Sequence, residues 1–143
     1  MTVGRVCVRS VHVANPDESV RIAARRMREA DVGTLIVIDN NRNPIGVVTD
    51  RDVALRCVAA DRDPDATPIS EVMTAPVLCV SESTPIEDAL RRMAGISARR
   101  LGVTDSEGHL AGILALEDVV DLLVEEAETI GRLLQRRHPP LEG

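Results

Sequence analysis

Gly46-Val47-Val48-Thr49-Asp50-Arg51-Asp52-Val53 reads as a short apolar strand running into a helix that opens on Thr-x-x-Asp. Gly46, Thr49 and Asp52 then stand where a strand's carboxyl end meets a helix N-terminus, the place where α/β proteins tend to hold small ligands. The same residues also spell a capping box, with Thr49 accepting from the N3 amide and Asp52 reaching back. Both readings fit the stretch taken alone, and the rest of the chain has to weigh them.

Working outward, the stretch recurs. Sliding the sequence by 66 residues aligns two halves without a gap: Val11 on Val77, Ala23 on Ala89, Arg25-Arg26-Met27 on Arg91-Arg92-Met93, Leu35 on Leu101, Val37 on Val103, Asp39 on Asp105, Gly46 on Gly112 and Asp52-Val53 on Asp118-Val119. These eleven identities are spread along the unit, so internal duplication is the governing feature. Each copy follows one plan. An extended piece (10–13, 77–80) precedes a helix (19–30, 85–96), then two strands (34–38 and 45–48; 100–104 and 110–114), then a second helix (50–60; 117 onward). Thr84-Pro85-Ile86-Glu87 predicts a capping box with proline at N1. The start of the first copy's helix falls between Asn15 and Ser19, and Val20, Ala23, Ala24 and Met27 face the core. Asp61-Arg62-Asp63-Pro64-Asp65 is a polar linker. The boundaries expected are 1–66 for the first repeat with its linker, 67–138 for the second with a longer last helix, and 139–143 for a tail. A βαββα unit is too small to bury its own faces well, so the two copies are expected to form one α/β domain.

The last helix carries Val120, Leu123, Ala127, Ile130 and Leu134 at 3-4-3-4 spacing, a narrow apolar seam. Intramolecular packing and a dimer contact both explain such a seam. Glu128 precedes Arg132 by four residues, a favourable pairing order, Arg136-Arg137 suit a helix C-terminus, and His138-Pro139-Pro140 ends it.

Composition narrows the function. The 143 residues, 44% hydrophobic, suffice for one core, and no apolar run of membrane-spanning length or signal-peptide h-region occurs. Cys7, Cys57 and Cys79 form no CxxC pair, which points to a reducing cytoplasm. A net charge of −6 and the absence of Phe, Tyr and Trp disfavour nucleic acid as a partner. All seventeen basic residues are arginine, so a local cluster can still hold a small anion. His12, His109 and His138 stand apart, giving no metal-ligand spacing. Cys57 and the Met27/Met93 pair read as core, and no catalytic or Walker motif appears, so no enzymatic activity and no cofactor are assigned.

The tandem βαββα plan, Met73-Thr74 before the extended piece, Gly-x-x-Thr-x-x-Asp at 46–52 and Arg99-Arg100-Leu101 at a strand entry together resemble a pair of cystathionine-β-synthase (CBS) domains. Thr49-Asp50-Arg51-Asp52, Ala59-Ala60-Asp61 and Asp63-Pro64 are similar to small bacterial stress-response members. The resemblance implies two CBS repeats packed with pseudo-twofold symmetry into one Bateman module, commonly a disc-shaped homodimer. It also implies a regulatory sensor of adenosine-containing ligands (AMP, ADP, ATP, S-adenosylmethionine, sometimes NAD) with no catalytic or membrane role.

Carried over by residue, the resemblance assigns the ribose carboxylate to Asp52, its neighbouring hydroxyl to Thr49, and the facing cations to Arg99 and Arg100. Chemistry agrees: a carboxylate accepts from two vicinal hydroxyls, and guanidinium pairs with phosphate oxygens. The 66-residue shift keeps Asp118 in the partner site but puts Ala115 for Thr49, Gly33 for Arg99 and Thr34 for Arg100. One competent site (with Gly46, Thr49, Asp52, Arg99, Arg100) and one weak or empty cleft at Asp118 are therefore expected. The rival readings are a degenerate pair that binds a partner protein without nucleotide and, more distantly, a redox- or metal-linked stress protein.

Overall fold

The computed structural model describes residues 1–136. The elements run α1 (Val3–Val6), β1 (Val13–Ala14), α2 (Val20–Ala30), β2 (Thr34–Ile38), β3 (Pro44–Thr49), α3 (Asp50–Asp52), a π-helical turn (Val53–Val58), a 3-10 turn (Ile69–Glu71), β4 (Cys79–Ser81), α4 (Ile86–Ile96), β5 (Arg100–Thr104), β6 (Leu110–Ala115) and α5 (Leu116–Arg136). The duplication is visible in the pairing. β1-β2-β3 and β4-β5-β6 form two three-stranded sheets of the same order, each with one parallel and one antiparallel ladder. Even the register break recurs at matched places, between Val37 and Ile38 and between Val103 and Thr104.

Alternation along the strands gives each sheet two uses. One face of the first sheet sends Leu35, Val37 and Val48 into a core with Val20, Ala23, Met27 and Cys57; one face of the second sends Leu101, Val103 and Leu114 in beside Ala89, Met93 and Val119. The other faces present Thr34, Ile36, Val47 and Thr49, and Arg100, Gly102 and Ile113, to the crevices between the sheets. The lobes are also laced together. Val3 and Val6, near the N-terminus, complete the second core, whereas Ile69, Val72 and Met73 complete the first. Val47 exchanges backbone bonds with Thr74, as Ile113 does with Val8. Two half-cores thus become one domain, as the small size of each unit demands.

Several sequence expectations shift. β1 and β4 begin three and two residues later than expected: residues 10–12 and 76–78 line crevices, with the His12 and Leu78 carbonyls still accepting from the Ile36 and Gly102 amides. The capping box at residues 84–87 does not form: α4 is capped at Pro85 without a side-chain bond, since Thr2 pairs with Pro85 and the Thr84 carbonyl accepts from Val3. α2 is capped by Ser19, whose hydroxyl accepts from the Ile22 amide. The helix expected over 50–60 is α-helical for three residues and then widens, with the Ala59 N–H reaching the Ala54 carbonyl. Arg132 donates to Thr129 rather than pairing with Glu128, an exposed pairing of little energy. The helix end expected at Arg137 and His138 lies outside the described residues, as does the 139–143 tail.

One polar clamp holds α2 to the strand before it. Arg26 makes two bonds to the Glu18 carboxylate, at 2.7 and 3.0 Å, and donates to the Val13 carbonyl, while Glu18 accepts from the Asn15 amide. The hydrogen bond from Arg26 holds the Glu18 carboxyl below its ordinary value, against the opposing effect of burial. A depressed folded-state value means the stabilisation is whole above the unfolded-state value and is lost as pH falls through the folded one. Glu18→Gln should therefore cost about 1–2 kcal/mol near neutrality. Urea titrations at neutral and acidic pH should show that gap closing in acid.

Candidate functional site

The principal cleft, about 330 Å³, opens between the two sheets and is lined from both repeats: Thr34, Ile36, Val47 and Thr49 from the first, and Ile96, Ala98, Arg99, Arg100, Gly102 and Ile113 from the second. Thr74, Pro76, Val77 and Leu78 of the crossing segment form its remaining wall. The floor is aliphatic and the polar groups are few, three threonines and two arginines, the usual make-up of a small-molecule pocket. With no aromatic residue in the chain, a planar ring could be held only between aliphatic side chains.

The strand-to-helix junction that opened the reading does form a capping box. Thr49 Oγ1 accepts from the Asp52 amide at 3.1 Å, and Asp52 Oδ2 accepts from the Thr49 amide at 3.0 Å. The box is not the whole of it. Thr74 Oγ1 approaches the Asp52 carboxylate at 3.3 and 3.4 Å, and Arg56 lies 3.7 Å away. Asp52 is one of only two buried polar residues among those described, at 8% exposure. It stands behind Thr49 and Thr74, both of which line the cleft, rather than on the cleft wall itself. A buried carboxylate next to two hydroxyls at the cleft edge is more than a cap requires.

Arg99 and Arg100 project from the entry of β5. Arg99 is 71% exposed and paired at 3.0 Å with Glu117 in the first turn of α5, while its carbonyl accepts from the Leu116 amide. Gly46 sits on the core face of β3, where an added Cβ would lie 2.9 Å from both Met73 Sδ and the Thr74 carbonyl; its place is behind the wall rather than in the cleft. Asp118 is elsewhere, in a more open depression of about 500 Å³ with Met1, Arg5, Asp121 and Glu125. The structure thus brings Thr49, Arg99 and Arg100 into one cleft with Asp52 directly behind, and leaves Asp118 apart.

A second crevice of about 290 Å³ is lined by Val8, Ser10, Val11, His12, Val32, Gly33, Thr34, Ile36, Arg100 and Ile113. Each of these is the 66-residue counterpart of a residue lining the principal cleft, so the two are pseudo-symmetric. Gly33 and Thr34 occupy the positions of Arg99 and Arg100, and Val8 that of Thr74. Sequence reasoning missed Thr74 and the aliphatic wall 76–78. The Met73-Thr74-Ala75-Pro76 run marks a break before a strand but does not disclose that it crosses to the other repeat.

Thiol chemistry finds no support from the surroundings. Burial pushes the Cys79 thiol up, and Cys7 likewise, away from the reactive thiolate. Among the described residues no three His, Cys, Asp or Glu side chains gather as a metal group, and no helix is long and apolar enough to cross a membrane.

Comparison with known proteins came to the same repeats. The family model described as "CBS domain" matches residues 3–58 and again 69–125. An uncharacterised protein of Methanopyrus kandleri is 30% identical over 122 residues, which cover 85% of this chain and only 62% of that relative. Hypoxic response protein 1 of Mycobacterium tuberculosis is 31% identical over 127 residues, covering 89% of this chain and 84% of the relative. Among solved structures, CBSX2 of Arabidopsis thaliana in complex with AMP superposes with a TM-score of 0.72 at 33% identity, covering 88% of this chain and 98% of that one.

Proposed function

The chain belongs to the CBS-domain family as a two-repeat CBS pair, and from that premise we propose that it is a regulatory module whose principal cleft takes an adenosine nucleotide, AMP first among the candidates. The observation that supports this most is the composition of the cleft: two hydroxyls from one repeat (Thr34 and Thr49) and two guanidiniums from the other around an aliphatic floor. CBSX2, a third identical, is known with AMP bound. In this reading the aliphatic walls hold the adenine and Arg99 and Arg100 meet the phosphate. Asp52 serves the ribose by exchanging its long bonds from Thr74 for a ribose hydroxyl, and Thr49 stands between. Gly46 serves by letting the wall segment cross behind β3, whereas the pseudo-symmetric crevice, lacking both cations, stays weak or empty. Asp118 has no cleft partner in this arrangement. Because the ligand touches both repeats, it favours one arrangement of repeats or of protomers in a homodimer, by as much as its affinities for the arrangements differ. Regulation of this kind needs no chemical step and suits a cytoplasmic protein responding to stress.

Thermal shift with AMP, ADP, ATP, NAD and S-adenosylmethionine is the direct test. Saturation at a hundred times the dissociation constant should add about 2.7 kcal/mol of stability, whereas a degenerate pair acting only through protein contacts would show no shift with any of them. Asp52→Asn refines the test. Asparagine keeps an acceptor for the Thr49 amide and so most of the cap, but loses the charge. AMP affinity should fall about tenfold, from charge-assisted bonds of ~1.5–3 kcal/mol, with stability changed by less than about 1 kcal/mol. Calorimetric titration showing unchanged affinity would remove Asp52 from the site.

A further inference from the structure

The last helix does not end where the duplicated unit ends. The family match stops at residue 125, and the first repeat's corresponding helix stops at Val58, the counterpart of Val124. α5 continues to Arg136, and residues 123–130 and 132–136 are all exposed. Its apolar spacing does not stop either. Leu116 and Val119 dip into the second core, while the 3-4-3-4 series of Val120, Leu123, Ala127, Ile130 and Leu134 on the neighbouring face stays exposed, with none of the described residues covering it. Leu123 is 56% exposed, Ile130 57%, Leu133 64% and Leu134 53%. An exposed apolar face of this length calls for a partner.

We propose that this partner is the same helix of a second copy, laid antiparallel. Two features select it. The first is charge: every acid of α5 (Glu117, Asp118, Asp121, Glu125, Glu126, Glu128) precedes residue 129, and both of its described arginines (Arg132, Arg136) follow residue 131. Neither arginine sits in an ion pair among the described residues. Parallel pairing would stack like charges at each level; antiparallel pairing sets the basic end of one helix beside the acidic middle of the other and opposes their dipoles favourably. The second is the seam itself, whose last four positions are symmetric about a point between Glu128 and Thr129. Reversed on itself, it puts Leu123 level with the partner's Leu134 and Ala127 level with the partner's Ile130, so each layer pairs a position of one kind with the other kind, as antiparallel coiled coils do. The contact is independent of the cleft and specifies where the homodimer of the proposed function is held.

The test uses the full chain. Sedimentation equilibrium should find a dimer, and Ile130→Glu with Leu134→Glu should convert it to a monomer with unchanged circular dichroism, both residues being outside the core, and with a melting temperature that no longer depends on protein concentration. A chain that is monomeric at every concentration sinks this contact and the homodimer of the proposed function together. A dimer that survives the double variant sinks this contact alone and leaves the homodimer to the repeats. Orientation is read by oxidative cross-linking against the background of the native cysteines. Leu123→Cys and Leu134→Cys chains should cross-link when mixed. Leu134→Cys alone should not, its two thiols lying about 16 Å apart along the axis at 1.5 Å per residue. Cross-linking of the Leu134→Cys chain alone would overturn the antiparallel arrangement.

Discussion

Changing Arg99 and Arg100 together to alanine is expected to weaken AMP binding by about a hundredfold while moving adenosine binding only a few-fold. A charge-assisted bond to phosphate is worth ~1.5–3 kcal/mol, but neither arginine is free of discount. Arg99 is largely exposed and already committed to Glu117, so a phosphate must displace one carboxylate to reach it. The lower end of the range is therefore the right figure for each residue. About 1.4 kcal/mol apiece gives two powers of ten. Adenosine lacks the phosphate and feels only the aliphatic wall and the carboxylate behind Thr49, so it serves as the internal control. The same two residues predict that AMP affinity declines with ionic strength and that this decline disappears in the double variant. Stability should move little, since exposed side chains away from the core rarely matter by more than about 0.5 kcal/mol. Isothermal titration with both ligands at two salt concentrations decides the matter. Equal losses for AMP and adenosine would mean that the variant has deformed the pocket, and no loss for either would put the phosphate elsewhere.

How much of this could be read before the fold was known follows from which forces are local. The repeat, the strand series and the amphipathic helices were legible because Leu35/Leu101, Met27/Met93 and Gly46/Gly112 repeat at a fixed offset, and burial follows spacing of 2.0 and 3.6 residues. The capping box at Thr49 was legible for the same reason, being complete within four residues. What escaped was every contact that the duplicated unit makes outside itself. Pairing of Thr2 with Pro85 displaces a cap that residues 84–87 alone would form. Completion of the first core by Ile69 and Val72, and of the second by Val3, depends on lobes exchanging segments, and local periodicity carries no trace of it. The candidate site divides along the same line. Thr49 and Asp52 could be found from their own helix start, Arg99 and Arg100 only through the resemblance, and Thr74 only as part of the Met73-Thr74 motif and not as a cleft residue, because that part comes from lying across β3. Asp118 shows the converse limit: an identical residue stands at the matched position, but Ala115 and Val8 replace the two hydroxyls that approach Asp52.

That segment exchange makes a final prediction with a large effect. Gly112 is the counterpart of Gly46, and each lies where a crossing backbone passes over a strand. A Cβ on Gly112 would stand 2.7 Å from the Val8 carbonyl and 3.0 Å from Cys7 Sγ; one on Gly46 would stand 2.9 Å from the Thr74 carbonyl and from Met73 Sδ. Carbonyls held in a ladder cannot step aside as the tip of a flexible side chain can, and Val8 bonds Ile113 through both its amide and its carbonyl, at 2.9 Å each. Gly112→Ala should therefore cost about 2–3 kcal/mol, the upper part of the range for overpacking, and lower the melting temperature on the order of 10 °C. Gly46→Ala should cost somewhat less, since Met73 can rotate, but it pushes on Thr74 and hence on the cleft wall. Its mark should be a loss of AMP affinity larger than its loss of stability explains. Gly95 supplies the control. It lies inside α4 with nothing within 4 Å of an added Cβ, so Gly95→Ala should stabilise by about 0.5–1 kcal/mol. Denaturant titrations of the three variants must return two losses and one gain; a harmless alanine at residue 112 would mean that the N-terminal segment does not cross the second sheet, and with it would go the exchange that joins the two repeats.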